Sequence, residues 1–417
     1  MKIALINTFY PPWNFGGDGV YIRRFARALA RRGCEVSVLH DTETFEVLAP
    51  ATPTDMLEPL AEPAGVRVTR LRSGLGAVST LITHQTGRPL ANSKALGAFF
   101  AQDFDVTHFH NVSAVGGPGI FSRGSGIKLY TAHEHWLVCP THILWRYNRE
   151  VCDAKKCFSC QIENNRPPQL WRSTGFLKRQ GKKIDRFITL SHSSAVNHKR
   201  FGFPFEMSVL PSFLPDLEEL PAPSPASRPY ALFVGRLEKI KGLQDVIPAI
   251  APDAPFDLVI VGEGDYAPEL KRLAAGHPRI RFMGRMAPDE ISAHYAGALA
   301  AILPSLCLEV FPLVAIEALR AGAPVIARKH GPFPEIVEET GAGYLFEEPI
   351  EIVNHLERLV ADPALRKRLG VTARSAFATR WSEKVALNAY FNLVGDVAAE
   401  KGLEEIAAKA RSLVETG

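Results

Sequence analysis

The chain runs through one pattern twice. Short apolar runs alternate with helical periodicity, break at a Pro- and Ser-rich stretch, PSFLPDLEELPAPSPASRP (211–229), and then resume. In the first half KIALIN (2–7), EVSVLH (35–40), DVTHFH (105–110), IKLYTAH (127–133) and RFITLS (186–191) read as strands. In the second half YALFVG (230–235), DLVIVG (257–262), IRFMG (280–284), ALAAILPS (298–305) and APVIAR (323–328) do so. Between the first two strands, VYIRRFARALARRG (20–33) has helical apolar spacing, with Gly33 placed to end it. Strand, helix, strand closes into a right-handed parallel unit. Two such series predict an α/β protein of two doubly wound, Rossmann-like domains. The last stretch, 381–417, reads as helical.

A length of 417 residues suits two cores rather than one, and 46% hydrophobic with 22% charged residues is ordinary for a globular chain. The net charge of +4 fits an anionic ligand but is too small to indicate nucleic acid. The opening MKIALINTFYPP reads as a strand rather than a signal peptide, and no stretch reaches the roughly 20 apolar residues of a spanning helix. The expected location is cytoplasmic, with peripheral contact at the inner membrane face as an option.

Ligands of doubly wound sheets bind at the carboxyl ends of strands, where turns and helix starts present N–H groups. Three segments fall there. NFGGDG (14–19) follows the first strand, and Gly16 and Gly17 let backbone approach a ligand closely. GRLEKIKG (235–242) places Arg236 and Lys241 after a strand, suited to gripping a diphosphate, although two solvated surface charges would look the same. LEVFPLVAIEAL (308–319) sets Glu309 and Glu317 eight positions apart around an apolar stretch. A helix starting near Pro312 would bury Val314, Ala315, Ala318 and Leu319. Glu317, embedded in that helix, would need a hydroxyl or cationic partner, and the amides near Leu313 and Val314 would be free for a phosphate. In the first half His133 ends a strand, with Glu134, His135 and, after another strand, His110 nearby. A neutral imidazole there could hydrogen-bond a hydroxyl.

Glu309 and Glu317 match the E-x7-E pattern of the retaining glycosyltransferases of family 4, also called group 1. Arg236 and Lys241 match that family's phosphate-binding signature, and Gly16–Gly17 its N-terminal loop. The resemblance implies the GT-B fold, in which two Rossmann-like domains face a central cleft. It divides the chain into an acceptor-side domain (1–210 plus a returning 385–417) and a donor-binding domain (211–384). It also implies roles. Arg236 and Lys241 neutralise a departing diphosphate, Glu317 holds the ribose, and Glu309 the transferred sugar. VGEG (261–264) and MGRM (283–286) cradle the base, Met286 through its backbone, and Gly235 and Gly262 join the donor-binding set. The segment Phe311, Pro312, Leu313 and Val314 receives phosphate or sugar, and His133 touches the sugar. The implied reaction is transfer from a nucleotide-diphosphate sugar, UDP- or GDP-linked, to an acceptor hydroxyl of a carbohydrate, lipid or small molecule. It proceeds with retention, a phosphate oxygen taking the acceptor proton, and without a catalytic metal. The family often has glycine where this chain has Val310 and Pro312.

Other readings are a GT-B nucleotide-sugar epimerase and a non-catalytic nucleotide-sugar-binding subunit. A dinucleotide oxidoreductase fits poorly, because VGEGDY lacks the third glycine of its fingerprint.

Four of six cysteines, Cys139, Cys152, Cys157 and Cys160, are spaced C-x12-C-x4-C-x2-C inside an insertion spanning about 139–165. That spacing predicts a structural zinc site, with an iron–sulfur cluster as the alternative and loose surface thiols as the plain reading. The basic run 170–186 (Lys178, Arg179, Lys182, Lys183, Arg186) reads more readily as a solvated helix face than as an acceptor surface.

Overall fold

The computed structural model describes residues 1–49 and 57–415; positions 416–417 of the stretch expected to be helical lie outside them. The described residues form fifteen strands: β1 (Lys2–Ile6), β2 (Glu35–Asp41), β3 (Val66–Leu71), β4 (Val106–Phe109), β5 (Ile127–Ala132), β6 (Trp145–Arg146), β7 (Glu150–Val151), β8 (Arg186–Thr189), β9 (Met207–Val209), β10 (Tyr230–Val234), β11 (Asp257–Val261), β12 (Ile280–Gly284), β13 (Ala301–Leu303), β14 (Val325–Arg328) and β15 (Gly343–Phe346). They build a seven-stranded sheet, β3-β2-β1-β4-β5-β8-β9, and a six-stranded sheet, β12-β11-β10-β13-β14-β15. Both are parallel throughout. The separate antiparallel pair β6–β7 belongs to the cysteine-rich insertion.

The central strands are buried end to end, as in β11 (DLVIV), which parallel sheets covered on both faces require. The first helix, Gly17–Arg31, turns Tyr21, Ile22, Phe25 and Leu29 onto the first sheet, and Gly33 beyond its end takes the left-handed conformation its position demands. Both sheets keep their loops at the carboxyl ends of the strands, where the candidate residues lie.

The two halves are joined by more than the linker. Phe213 and Leu214 within it are buried, and the helices Glu383–Glu400 and Glu404–Ser412 return to the first sheet. Leu387, Tyr390, Phe391 and Val394 share one apolar cluster there with Ile3, Leu5, Phe25 and Val36. Across the cleft Ser191 Oγ donates to the Val310 carbonyl at 2.7 Å. The Glu335 carboxylate accepts the His192 and Ser193 amides that open the helix His192–Arg200. The basic run is solvated as read: Lys178, Arg179, Lys182 and Lys183 are exposed, and Arg186 pairs with Glu400.

Candidate active site

On the donor side the strand ends converge through glycine. A Cβ on Gly262 would lie 1.9 Å from the Gly235 carbonyl oxygen, so the β10 and β11 ends approach more closely than any side chain allows. Gly242, at φ +78°, brings the loop after β10 against the loop after β13, where a Cβ would meet the Pro304 carbonyl oxygen at 2.1 Å. Leu306 N then donates to Ile240 O at 2.8 Å. These approaches place Lys241 Nζ 2.6 Å from Glu309 Oε1, which also accepts from Ser305 Oγ at 2.8 Å. Burial alone would raise the Glu309 carboxyl and lower the Lys241 ammonium. The opposite charge of the partner, helped for Glu309 by the Ser305 hydrogen bond, outweighs burial, so Glu309 titrates below and Lys241 above its ordinary range. Both side chains keep a face to the cleft, 24% and 20% exposed. Arg236 stands further out, 70% exposed, on Glu238.

The helix Leu313–Arg320 starts after Pro312 with no side-chain cap, leaving its first-turn amides free of a side-chain partner. It buries Ala315, Ile316, Ala318 and Leu319. Val314, expected in the core, is only half-buried, because the first turn lies on the cleft rather than under it. Glu317 is half-buried, and among the described residues its carboxylate makes no hydrogen bond or ion pair. Burial raises its carboxyl, opposed by the fields of Arg24, from the other half of the chain, and Arg320. The expected cationic partner thus acts at a distance and across the cleft. Met286, after β12, is half-buried at the edge of the same core. Phe311 is also half-buried against that core, and Pro312 is buried.

Opposite lies the first half. A Cβ on Gly17 would come within 3.6 Å of Leu313 Cδ1, so the Gly16–Gly17 loop faces the start of the donor-side helix. His133, at the end of β5, has Nε2 2.9 Å from His110 Nδ1 and its ring against Tyr21. Burial pushes His133 down to about 4, so it is neutral at pH 7. The two competing histidines therefore form one unit. His135, by contrast, is buried against His198, away from that pair.

Several cleft residues escaped the sequence. Asp18 lies beside Glu134, and burial first, then that charge, raises it to about 7, against hydrogen bonds from Gly19 N (2.8 Å) and Asn111 Nδ2 (3.4 Å). Glu134 in turn holds His142 Nδ1 at 2.6 Å. The signal for Asp18 was present: an acidic residue directly after a glycine pair at a helix start. Arg24, Ser305 and Glu335 carried none.

The expected zinc or iron–sulfur site is not found. Among the described residues no group of three or more His, Cys, Asp or Glu is arranged to hold a metal ion. Cys139, Cys152, Cys157 and Cys160 do surround one small cavity, and no disulfide links them. Three of the four sulfurs meet nearby protein groups. Cys139 Sγ is 3.2 Å from Thr141 Oγ1, Cys152 Sγ donates to Ala154 O, and Cys160 Sγ accepts from Tyr147 N. Burial raises the Cys152 thiol to about 11, favouring the protonated form.

Two parallel α/β sheets facing a cleft, with an ion pair and free helix-end amides on one wall and a glycine loop on the other, define a GT-B glycosyltransferase. Residues 15–215 match Glycosyltransferase Family 4, and residues 218–376 match Glycosyl transferases group 1. A D-inositol 3-phosphate glycosyltransferase of Corynebacterium diphtheriae is 31% identical over 419 residues, covering 89% of this chain and 90% of the relative. An MMP alpha-(1->4)-mannosyltransferase of Mycolicibacterium hassiacum is 27% identical over 90% of this chain and 93% of the relative. The chain belongs to glycosyltransferase family 4 and is a transferase. Among solved structures, sucrose-phosphate synthase from Thermosynechococcus elongatus shares the fold with a TM-score of 0.72 at 22% identity, covering 95% of this chain and 99% of that one. Anabaena HepE in complex with UDP-glucose gives 0.61 at 19% identity, covering 93% and 97%.

Proposed function

We propose that the protein transfers a sugar from a nucleotide-diphosphate sugar to an acceptor hydroxyl with retention of anomeric configuration. The observation that carries this reading is the Lys241–Glu309 pair, held at the cleft beside an uncapped helix start and opposite Gly16–Gly17. In the absence of donor the two charges satisfy each other. A diphosphate entering the cleft would draw the Lys241 ammonium, with Arg236 as a second, mobile cation, and free Glu309 to accept hydroxyls of the transferred sugar. The amides of Leu313 and Val314 would add donors along the helix axis. Glu317 would hold the ribose through its unspent oxygens, and Met286 would lie at the base. These groups stabilise the charge that develops on the leaving diphosphate, which is where such a reaction gains most. Neutral His133, its second nitrogen committed to His110, would hydrogen-bond a sugar hydroxyl. The acceptor would approach on the face the diphosphate leaves, its proton passing to a phosphate oxygen.

The family relatives support a sugar donor, and the UDP-glucose complex of HepE favours UDP-glucose as the first donor to test, with GDP-mannose beside it. The test incubates the purified protein with each donor, with and without a panel of polyol, sugar and lipid-linked acceptors, and follows nucleotide release and product anomer by NMR. Acceptor-dependent release with a retained anomer is expected. Donor epimerised without acceptor, or an inverted product, would overturn the reading.

A further inference from the structure

The cysteine-rich insertion does not stay on its own half of the molecule. Its hairpin, β6–β7, carries Trp145, which is 5% exposed and packed with Ile240 and Cys307 of the donor side. Val151 and Leu306 border the same apolar cluster. Ile240 is the residue before Lys241, and Cys307 is two residues before Glu309. The loops that carry the ion pair thus present a shared apolar face, and Trp145, from the first half, covers it.

The two loops are anchored on the donor side by His330 Nε2, 2.7 Å from Ser305 O, and by buried Leu237 and Leu243 flanking 239–242. They are joined to each other by the Leu306 N to Ile240 O bond and by the close approach at Gly242. Their remaining apolar surface would face water if the hairpin were absent, and burial of Ile240 and Cys307 would be lost. The hairpin base is set among Cys139, Cys152, Cys157 and Cys160, whose small cavity also borders Trp145 and Arg146. Arg146 fastens the hairpin further by pairing with Glu150 and Asp153. A side chain held this firmly at its root can transmit position to what it touches.

We propose that Trp145 is a positioning residue: through Ile240 and Cys307 it fixes the two donor-side loops so that Lys241 and Glu309 meet a diphosphate in register. The significance of Lys241 and Glu309 rests on the donor reading above; the docking of the hairpin does not. Separation of the two halves would withdraw Trp145 and loosen both loops, so donor grip would follow closure.

The test uses the full chain. In the ligand-free protein, Trp145→Ala should speed amide hydrogen exchange at 239–242 and 305–309 by about ten-fold or more while leaving β1 and β11 protected. Whichever of UDP, GDP or ADP the wild type binds should bind Trp145→Ala at least about five-fold more weakly. The matching nucleoside monophosphate, which lacks the second phosphate assigned to Lys241, should keep its affinity. Trp145→Phe should restore most of both effects, and if the alanine variant fails to fold, Trp145→Leu, which keeps only part of the apolar cover, should show both effects at a smaller size. Unchanged exchange at the two loops would overturn the proposal, as would equal weakening of mono- and diphosphate. If the wild type binds no nucleoside diphosphate, the donor reading fails, and the exchange measurement still decides the docking.

Discussion

Remove the Lys241 ammonium, and Glu309 is left in a half-enclosed site without its cation, with Ser305 Oγ still donating to it. Lys241→Ala should therefore cost about 100-fold or more in kcat/KM while the melting profile stays cooperative, as steady-state kinetics and calorimetry would show. Asp18 makes a different prediction. Its carboxyl, raised to about 7, still holds a proton in the native state between pH 4 and 7 that the unfolded chain has released. Stability is thus lost as pH rises through that window, and Asp18→Asn should recover on the order of 1–2 kcal/mol at pH 8, after allowance for its partial exposure, and nothing at pH 4. Thermal melts at the two pH values test it. Glu309, Lys241 and Gly17 were legible because their motif spacing is local. The Glu134 field on Asp18 and the Arg24 field on Glu317 were not, since each joins residues far apart in sequence that only the tertiary fold brings together.

The loop 239–242 owes its place to one backbone conformation. Gly242→Ala would put a Cβ 2.1 Å from the Pro304 oxygen at a φ of +78°, so the loop must move or strain. The expected result is a loss of about 1–3 kcal/mol in stability, together with weaker nucleotide binding, measured by denaturant unfolding and calorimetric titration. The ten strands read from apolar runs all exist, with ends shifted by a few residues; ALAAILPS, for example, contracts to Ala301–Leu303. Three strands of the main sheets were missed: β3, β9 and β15. Each is a sheet edge, partly exposed, and too short or too mixed in polarity to present a continuous apolar run. The remaining edge, β12, alternates in the same way but follows a clear turn and was found. The cysteine spacing misled in the opposite direction. It brought four thiols around one cavity, yet three of the sulfurs turn to a nearby hydroxyl, carbonyl or amide.

At the scale of the molecule, the halves are joined by polar contacts at the cleft and by the returning helices behind it. Glu335 illustrates the first kind: its carboxylate occupies the amides at the start of His192–Arg200, a site otherwise suited to an anion. Glu335→Gln should weaken closure and raise the KM for donor by a few-fold with kcat less affected, a shift that steady-state kinetics at low salt would detect. The returning helices are of the second kind. Deleting residues from 383 onward would remove Leu387, Tyr390, Phe391 and Val394 from the cluster around β1 and leave a large apolar slot in the first sheet. Such a truncation should lose cooperative melting and bind hydrophobic dye. During synthesis, the half that leaves the ribosome first must then wait for residues 383–412 to be translated before its core can close.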